Sequence, residues 1–140
     1  MNHAATMRRS YELISHGDID GFGRLVATGF VEHQVTPGLP PTKEGVLELF
    51  RGYLAAFPDL RMHVDEIIAS GDTTVARVTV TGTQDGEFMG MPPSGRRAEV
   101  QLIDIMRFDD AGLIAEHWGV VDSLSLLQQL GIIPTGAPTA

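Results

Sequence analysis

His117 stands where an imidazole could do proton chemistry near neutral pH. The run Glu116-His117-Trp118-Gly119-Val120-Val121-Asp122 reads as a strand, and it hands over through an Asp to an apolar-faced closing helix. A hairpin centred on Asp110 pairs Ile103 with His117, Gln101 with Gly119 and Ile105 with Ala115. Opposed residues share one face of a sheet. That face is small and apolar, and His117 and Gln101 are its polar groups, which suits a small-molecule pocket. Neutral His117 could take a proton from a carbon next to a carbonyl; protonated, it could donate to the oxygen. Gln101 could hold a carbonyl or orient His117, or simply bond neighbouring backbone. The other face carries Asp104 and Glu116 as opposed neighbours, read as solvated or interface carboxylates rather than a catalytic acid pair.

Other candidates shape a pocket rather than react. Phe50 and Tyr53 lie on the apolar stripe of a helix, and Tyr53 offers a polar tip. Phe88, Met89 and Met91 belong to a loop readable as a flexible lid or a dimer contact. Trp118 reads as core or as a stacking platform. Asp122 is first a helix N-cap, for which Asp is among the best residues, with a catalytic carboxylate as the alternative. His33 ends a short extended piece before a Pro/Gly-rich loop and reads as a pocket donor or a surface His.

The elements that must position these groups fall in two blocks. In the first third, Met7, Tyr11 and Ile14 recur on one helical face. His16-Gly17-Asp18 reads as its stop, and Asp18 as the cap of a short second helix. Gly29–His33 is extended. Thr42 caps a third helix with Val46, Leu49, Phe50, Tyr53 and Leu54 inward, ended by Pro58. The period then changes to two. Strands are expected from Leu60, through Thr73–Thr83 and Arg97–Phe108, to Leu113–Val121, with turns at Gly71-Asp72 and Asp109–Gly112. A last helix runs from about Ser123 to Leu130. The expected class is α+β: N-terminal helices closing a strongly curved antiparallel sheet, with a C-terminal helix. One domain over 1–131 and a flexible tail over 132–140 are expected.

The bulk properties narrow the function. The 140 residues suit one domain, and a 43% hydrophobic content fills one core. A net charge of -8, with basic residues clustered no further than pairs, argues against nucleic acid and anionic membrane partners. The absence of cysteine removes disulfides, thiol nucleophiles and thiolate metal sites. No signal peptide or spanning segment is evident, so a cytoplasmic protein is expected. No metal-ligand spacing, phosphate-binding glycine loop or nucleophile elbow is present, so no cofactor and no metal are expected.

The chain resembles the SnoaL-like polyketide cyclases (ester cyclases) of the NTF2-like superfamily. The resemblance rests on Phe88-Met89-Gly90-Met91-Pro92-Pro93-Ser94-Gly95-Arg96, on Arg107-Phe108-Asp109, on Gly112–Trp118, on Asp122 and on Leu126–Gly131. It implies a cone-shaped fold, a homodimer packed through the sheet, and a cofactor-free pocket for a small apolar polyketide-like substrate. Its well-understood members close a ring by intramolecular aldol condensation. By alignment, their acid/base Asp falls at His117, their supporting His at Ile103, and their Gln is kept as Gln101. His33 would lie near the cavity mouth. Catalytic roles are thus expected for His117, Gln101 and His33, with Tyr53, Phe50, Ile103, Trp118, Phe88 and Met91 against substrate. The expected function is cofactor-free cyclisation or isomerisation of a carbonyl compound. Its alternatives are a non-catalytic binder of hydrophobic small molecules and an accessory protein of hydroxylation.

Overall fold

Side-chain caps start each helix, as the sequence prescribes. In the computed structural model, which describes residues 2–136, α1 (His3–Ser15) starts at Asn2, whose side chain accepts from Ala5 N–H. Asp18 does the same for α2 (Ile19–Gly23) through Gly21 N–H, and Thr42 for α3 (Lys43–Ala56) through Gly45 N–H. Each satisfies a donor that the helix itself leaves unpaired. Gly17 takes φ 76 just past the end of α1, a left-handed position where glycine carries no Cβ penalty.

Five strands follow the order β1-β5-β4-β3-β2. They are β1 (Val26–Glu32), β2 (Arg61–Ser70), β3 (Thr73–Thr83), β4 (Arg97–Phe108) and β5 (Ile114–Val121). β2 to β5 form the antiparallel meander read from the sequence. The extended piece near Gly29–His33 is β1, which joins the sheet parallel to β5 and makes it mixed. Bulges at Asp65, between Val64 and Glu66 of β2, and at Ala115 of β5, opposite Arg107 and Phe108, bend the sheet. The curved, unclosed sheet and its helices enclose an aliphatic and aromatic core. Met7, Tyr11 and Ile14 of α1 are buried in it, with Val78, Met106 and Phe108 from the strands.

The register of the last hairpin corrects the expected pairing. Ile103 faces Val120, three residues beyond His117, and His117 faces Met106. Two features cause the offset. Asp109 N–H donates to Leu113 O at 2.9 Å, and the Asp109 carboxylate accepts from Ala111 and Leu113 N–H, so the turn centres on Ala111 rather than Asp110. The bulge beside Phe108 adds one more residue. An odd shift exchanges the faces of one strand relative to the other. The inward row of β4 is therefore Leu102, Asp104 and Met106, and Gln101 and Ile103 lie on the outer face, exposed.

α4 (Ser123–Gln129) starts at Asp122, whose side chain accepts from Ser125 N–H at 3.1 Å. The Gln129 carboxamide pins this helix to β4, accepting from Glu99 N–H and donating to Glu99 O. Beyond Gly131, read as the start of the tail, Ile132 packs on the core and Gln128 donates to Pro134 O at 3.3 Å. Residues 137–140 of the expected tail lie outside the described residues.

Candidate active site

A cavity of about 170 Å³ opens between the helices and the concave face of the sheet. Its walls are mostly apolar: Phe22 and Phe30, then Phe50, Tyr53 and Phe57 from the end of α3, and Phe88 from the loop after β3. Glu32, Gln34, Asp104 and His117 form a polar patch in this lining, with Tyr11 beside it.

The strands dictate that cluster. Glu32 of β1 is the parallel partner of His117 of β5, so their side chains share a face. Across β5, Asp104 of β4 faces Gly119 rather than His117. The missing side chain at 119 leaves room for the imidazole to lean over and reach Asp104. A Cβ on Gly119 would fall 2.5 Å from Gln34 Oε1, 2.6 Å from Asp104 Oδ1 and 2.9 Å from His117 Cε1. His117 Nδ1 lies 2.5 Å from Glu32 Oε1, and Nε2 lies 2.6 Å from Asp104 Oδ1. The Tyr11 hydroxyl donates to Asp104 Oδ2 at 2.8 Å. The backbone N–H of Gln34 donates to Glu32 Oε1 at 2.9 Å. Four residues from α1, β1, β4 and β5 thus form one hydrogen-bonded chain: Glu32, His117, Asp104, Tyr11.

Two carboxylates around one imidazole set its charge. Burial alone pulls the His117 pKa down. The hydrogen bonds to Asp104 and Glu32, with the charges of both, outweigh it and push the group up to about 9. At neutral pH His117 is therefore an imidazolium with both N–H groups donated to carboxylates. Burial first, then the charge and hydrogen bond of Asp104, raise Tyr11 far above the ordinary phenol range and keep it a donor. Burial also raises Tyr53, so its hydroxyl enters the cavity wall protonated.

Of the residues expected from sequence, His117, Tyr53, Phe50 and Phe88 line the cavity. Gln101 and Ile103 lie on the far side of the sheet because of the register offset. His33 also faces outward. It stacks on Trp118 at 4.5 Å with an interplanar angle of 4°, and its Nε2 lies 2.7 Å from Glu116 Oε2. Glu116 pairs in turn with Arg107 at 2.5 Å. The His33 bond first, and then Arg107, hold the Glu116 carboxyl below the usual range. Asp104 and Glu116, expected as opposed neighbours, thus point to opposite faces. Trp118 and Met91 are exposed, and Asp122 caps α4.

The loop carrying Phe88 and Met91 is held in place. Phe88 and Met91 exchange both backbone hydrogen bonds around Met89 and Gly90, which take φ 52 and 75. Both central residues of this two-residue turn are left-handed, as a type I′ hairpin requires. The buried Gln84 carboxamide donates to Gly86 O and Pro92 O and accepts from the Ser94 hydroxyl. Phe88 packs edge-on against Phe57, ring centroids 5.1 Å apart.

Sequence reading passed over Glu32 and Gln34, took Tyr11 for core, and read Asp104 as a solvated or interface carboxylate, whereas it is buried in the cavity wall. Tyr11 looked like core because it falls on a helical apolar face. Asp104 gave a usable signal: it lies between Leu102 and Met106 in a period-two row whose other members are apolar. Glu32 gave none, since its neighbour on the adjacent strand is distant in sequence. Among the described residues no group of three or more His, Asp and Glu side chains is arranged to hold a metal ion. No described helix is long and apolar enough to cross a membrane.

The family model for SnoaL-like polyketide cyclases matches residues 4–130. Among solved structures, AclR of Streptomyces galilaeus, described as a candidate hydroxylase, is 32% identical with a TM-score of 0.85, over 96% of this chain and 84% of that one. TsrD of Streptomyces laurentii is 32% identical with a TM-score of 0.84, over 93% and 95%. IdmH of Streptomyces antibioticus, described as a candidate polyketide cyclase, is 34% identical with a TM-score of 0.81, over 94% and 99%. No curated protein matches the chain.

Proposed function

Since the chain belongs to the SnoaL-like polyketide cyclase family, we propose that it catalyses cofactor-free acid/base chemistry on a small apolar polyketide-like carbonyl compound. The reaction class is proton abstraction beside a carbonyl, followed by intramolecular aldol ring closure or isomerisation. The observation that carries this reading is the Glu32–His117–Asp104–Tyr11 chain set in an otherwise apolar wall. An apolar cavity with a few converging polar groups binds by shape and orients by hydrogen bonds. Phe22, Phe50, Phe57 and Phe88 supply flat surfaces for a folded polyketide. The Tyr53 hydroxyl, kept protonated by burial, is placed to donate to a substrate oxygen. A carbon between two carbonyls is already acidic, so much of the gain comes from holding the chain folded.

In this reading His117 is neither the acid nor the base itself. Held as an imidazolium, it fixes both carboxylates and supplies the positive charge that offsets an anion forming in the site. Turnover of an apolar β-keto ester or longer poly-β-carbonyl chain, followed by mass spectrometry, tests the reading. His117→Gln is expected to lower the rate by about 10²–10⁴. No turnover by the wild-type protein refutes the reading, and unchanged turnover in the variant refutes the role given to His117.

The outer face of the sheet supports a homodimer. Ile103, Trp118 and Val120 are exposed there side by side, an apolar patch suited to a second copy of this chain. The Arg107–Glu116–His33 network flanks it. Light scattering at micromolar concentration is expected to give a dimer, and the Trp118→Glu, Val120→Glu double variant a monomer. A second reading, an accessory role in hydroxylation in the cytoplasm, draws on the similarity to AclR. It predicts binding of an aromatic polyketide without ring closure.

A further inference from the structure

Within the reading just proposed, we infer that Glu32, through its second carboxylate oxygen, is the group that takes the proton from the substrate carbon, with the Gln34 carboxamide as the donor to the resulting enolate oxygen. Elimination leads to this atom. Both His117 ring nitrogens are committed, to Glu32 Oε1 and Asp104 Oδ1. Both Asp104 oxygens are committed, to His117 and to the Tyr11 hydroxyl. The Tyr11 hydroxyl is spent on Asp104. Glu32 differs: the His117 bond and the Gln34 backbone bond both land on Oε1. Among the described residues Oε2 has no hydrogen-bond partner, although the side chain is more than nine-tenths buried and lines the cavity. Oε2 is not among the fully buried side-chain atoms left without a partner, so on this largely buried, cavity-lining side chain it keeps accessible surface and is open to a ligand. Here what it faces is the space a substrate would fill.

The surroundings suit the role. Oε1, anchored by the imidazolium and by a backbone N–H, fixes the orientation of the carboxylate, so Oε2 is presented without a search over rotamers. Gln34 follows two residues later. Its Oε1 hangs over Gly119, beside Asp104 and the His117 ring edge. Its carboxamide forms no side-chain hydrogen bond among the described residues, so its N–H₂ is free to meet an oxygen. The step balances. The C–H bond beside the carbonyl breaks and its proton forms an O–H bond with Glu32 Oε2. The electron pair moves into the carbonyl to give an enolate. After the enolate carbon attacks a second carbonyl, Glu32 returns the proton to the new alkoxide.

The test is deuterium incorporation from D₂O at the central carbon of ethyl 2-benzylacetoacetate, an apolar β-keto ester, followed by NMR. The wild-type protein is expected to speed exchange over the uncatalysed rate. Glu32→Gln keeps the size of the side chain and an oxygen for His117. It is expected to cut exchange by about 10² or more and to leave probe affinity nearly unchanged. Glu32→Asp keeps the charge and withdraws the oxygen by one methylene, so a smaller fall is expected. If Glu32→Gln retains the wild-type rate, the assignment to Glu32 is overturned while the acid/base reading stands. If wild-type protein binds the probe without speeding exchange, both are overturned. Full wild-type rate in Glu32→Asp overturns the assignment even where the Gln variant fails to fold.

Discussion

Raising the pH from 6.5 to 9.5 is expected to strip the folded protein of a large stabilising contribution that belongs to one side chain. In the unfolded chain His117 titrates at its ordinary value of 6.5, and in the folded protein at about 9. The folded state therefore binds the proton more tightly. Its contribution is complete below pH 6.5 and fades as the pH climbs through 9. The gap is worth on the order of 3 kcal/mol. For a domain of this size that is a fall in Tm of about 10 °C across the window. Thermal or urea unfolding at half-unit pH steps measures it, and His117→Gln supplies the control, because the variant has no imidazole to titrate. A wild-type profile that is flat between pH 6.5 and 9, or one that His117→Gln reproduces, refutes the two-carboxylate clamp. Histidine ¹⁵N spectra at pH 7.5 check the cause directly: both ring nitrogens of His117 are expected to be protonated.

Asp104→Asn takes one charge from the clamp. It is expected to lower the His117 pKa and cost roughly 2–4 kcal/mol in urea unfolding, because the buried imidazolium loses a partner. Gly119→Ala places a methyl group within 3 Å of Gln34, Asp104 and His117; a cost of about 1–3 kcal/mol is expected, with a larger proportional loss of exchange activity, read in the same NMR assay. Gln84→Ala removes the clasp of the loop bearing Phe88. Faster proteolytic cutting between Gly86 and Ser94 and a raised KM are expected, with roughly 1–3 kcal/mol lost in urea unfolding.

The elements were legible because their signals are local. Asn, Asp and Thr caps, left-handed glycines at helix ends and the switch from helical to alternating periodicity are each written within a few residues. The family resemblance likewise rested on contiguous runs. The site was half legible. His117 drew attention by its chemistry, Phe50 and Tyr53 by their helical spacing, and Phe88 by its place in an apolar loop. What failed was geometry that local pattern does not encode. A turn closed by the Asp109 side chain and a single bulge beside Phe108 moved the register by an odd number and sent Gln101 to the outside. The parallel docking of β1 joined Glu32 to a residue on the last strand. No pattern within either strand announces that pairing.

That docking makes the clamp a product of global assembly. Glu32 is 85 positions from His117, and Tyr11 is 93 positions from Asp104. An isolated C-terminal hairpin would hold a half-clamped imidazole at most, and a nascent chain would hold none. At pH 8 the collapsed but unsealed chain leaves the ring neutral, whereas the finished protein captures a hydrogen ion from solvent. A dilute indicator dye in a stopped-flow mixer would then time the closing of the first strand against the last, separately from the earlier appearance of helix.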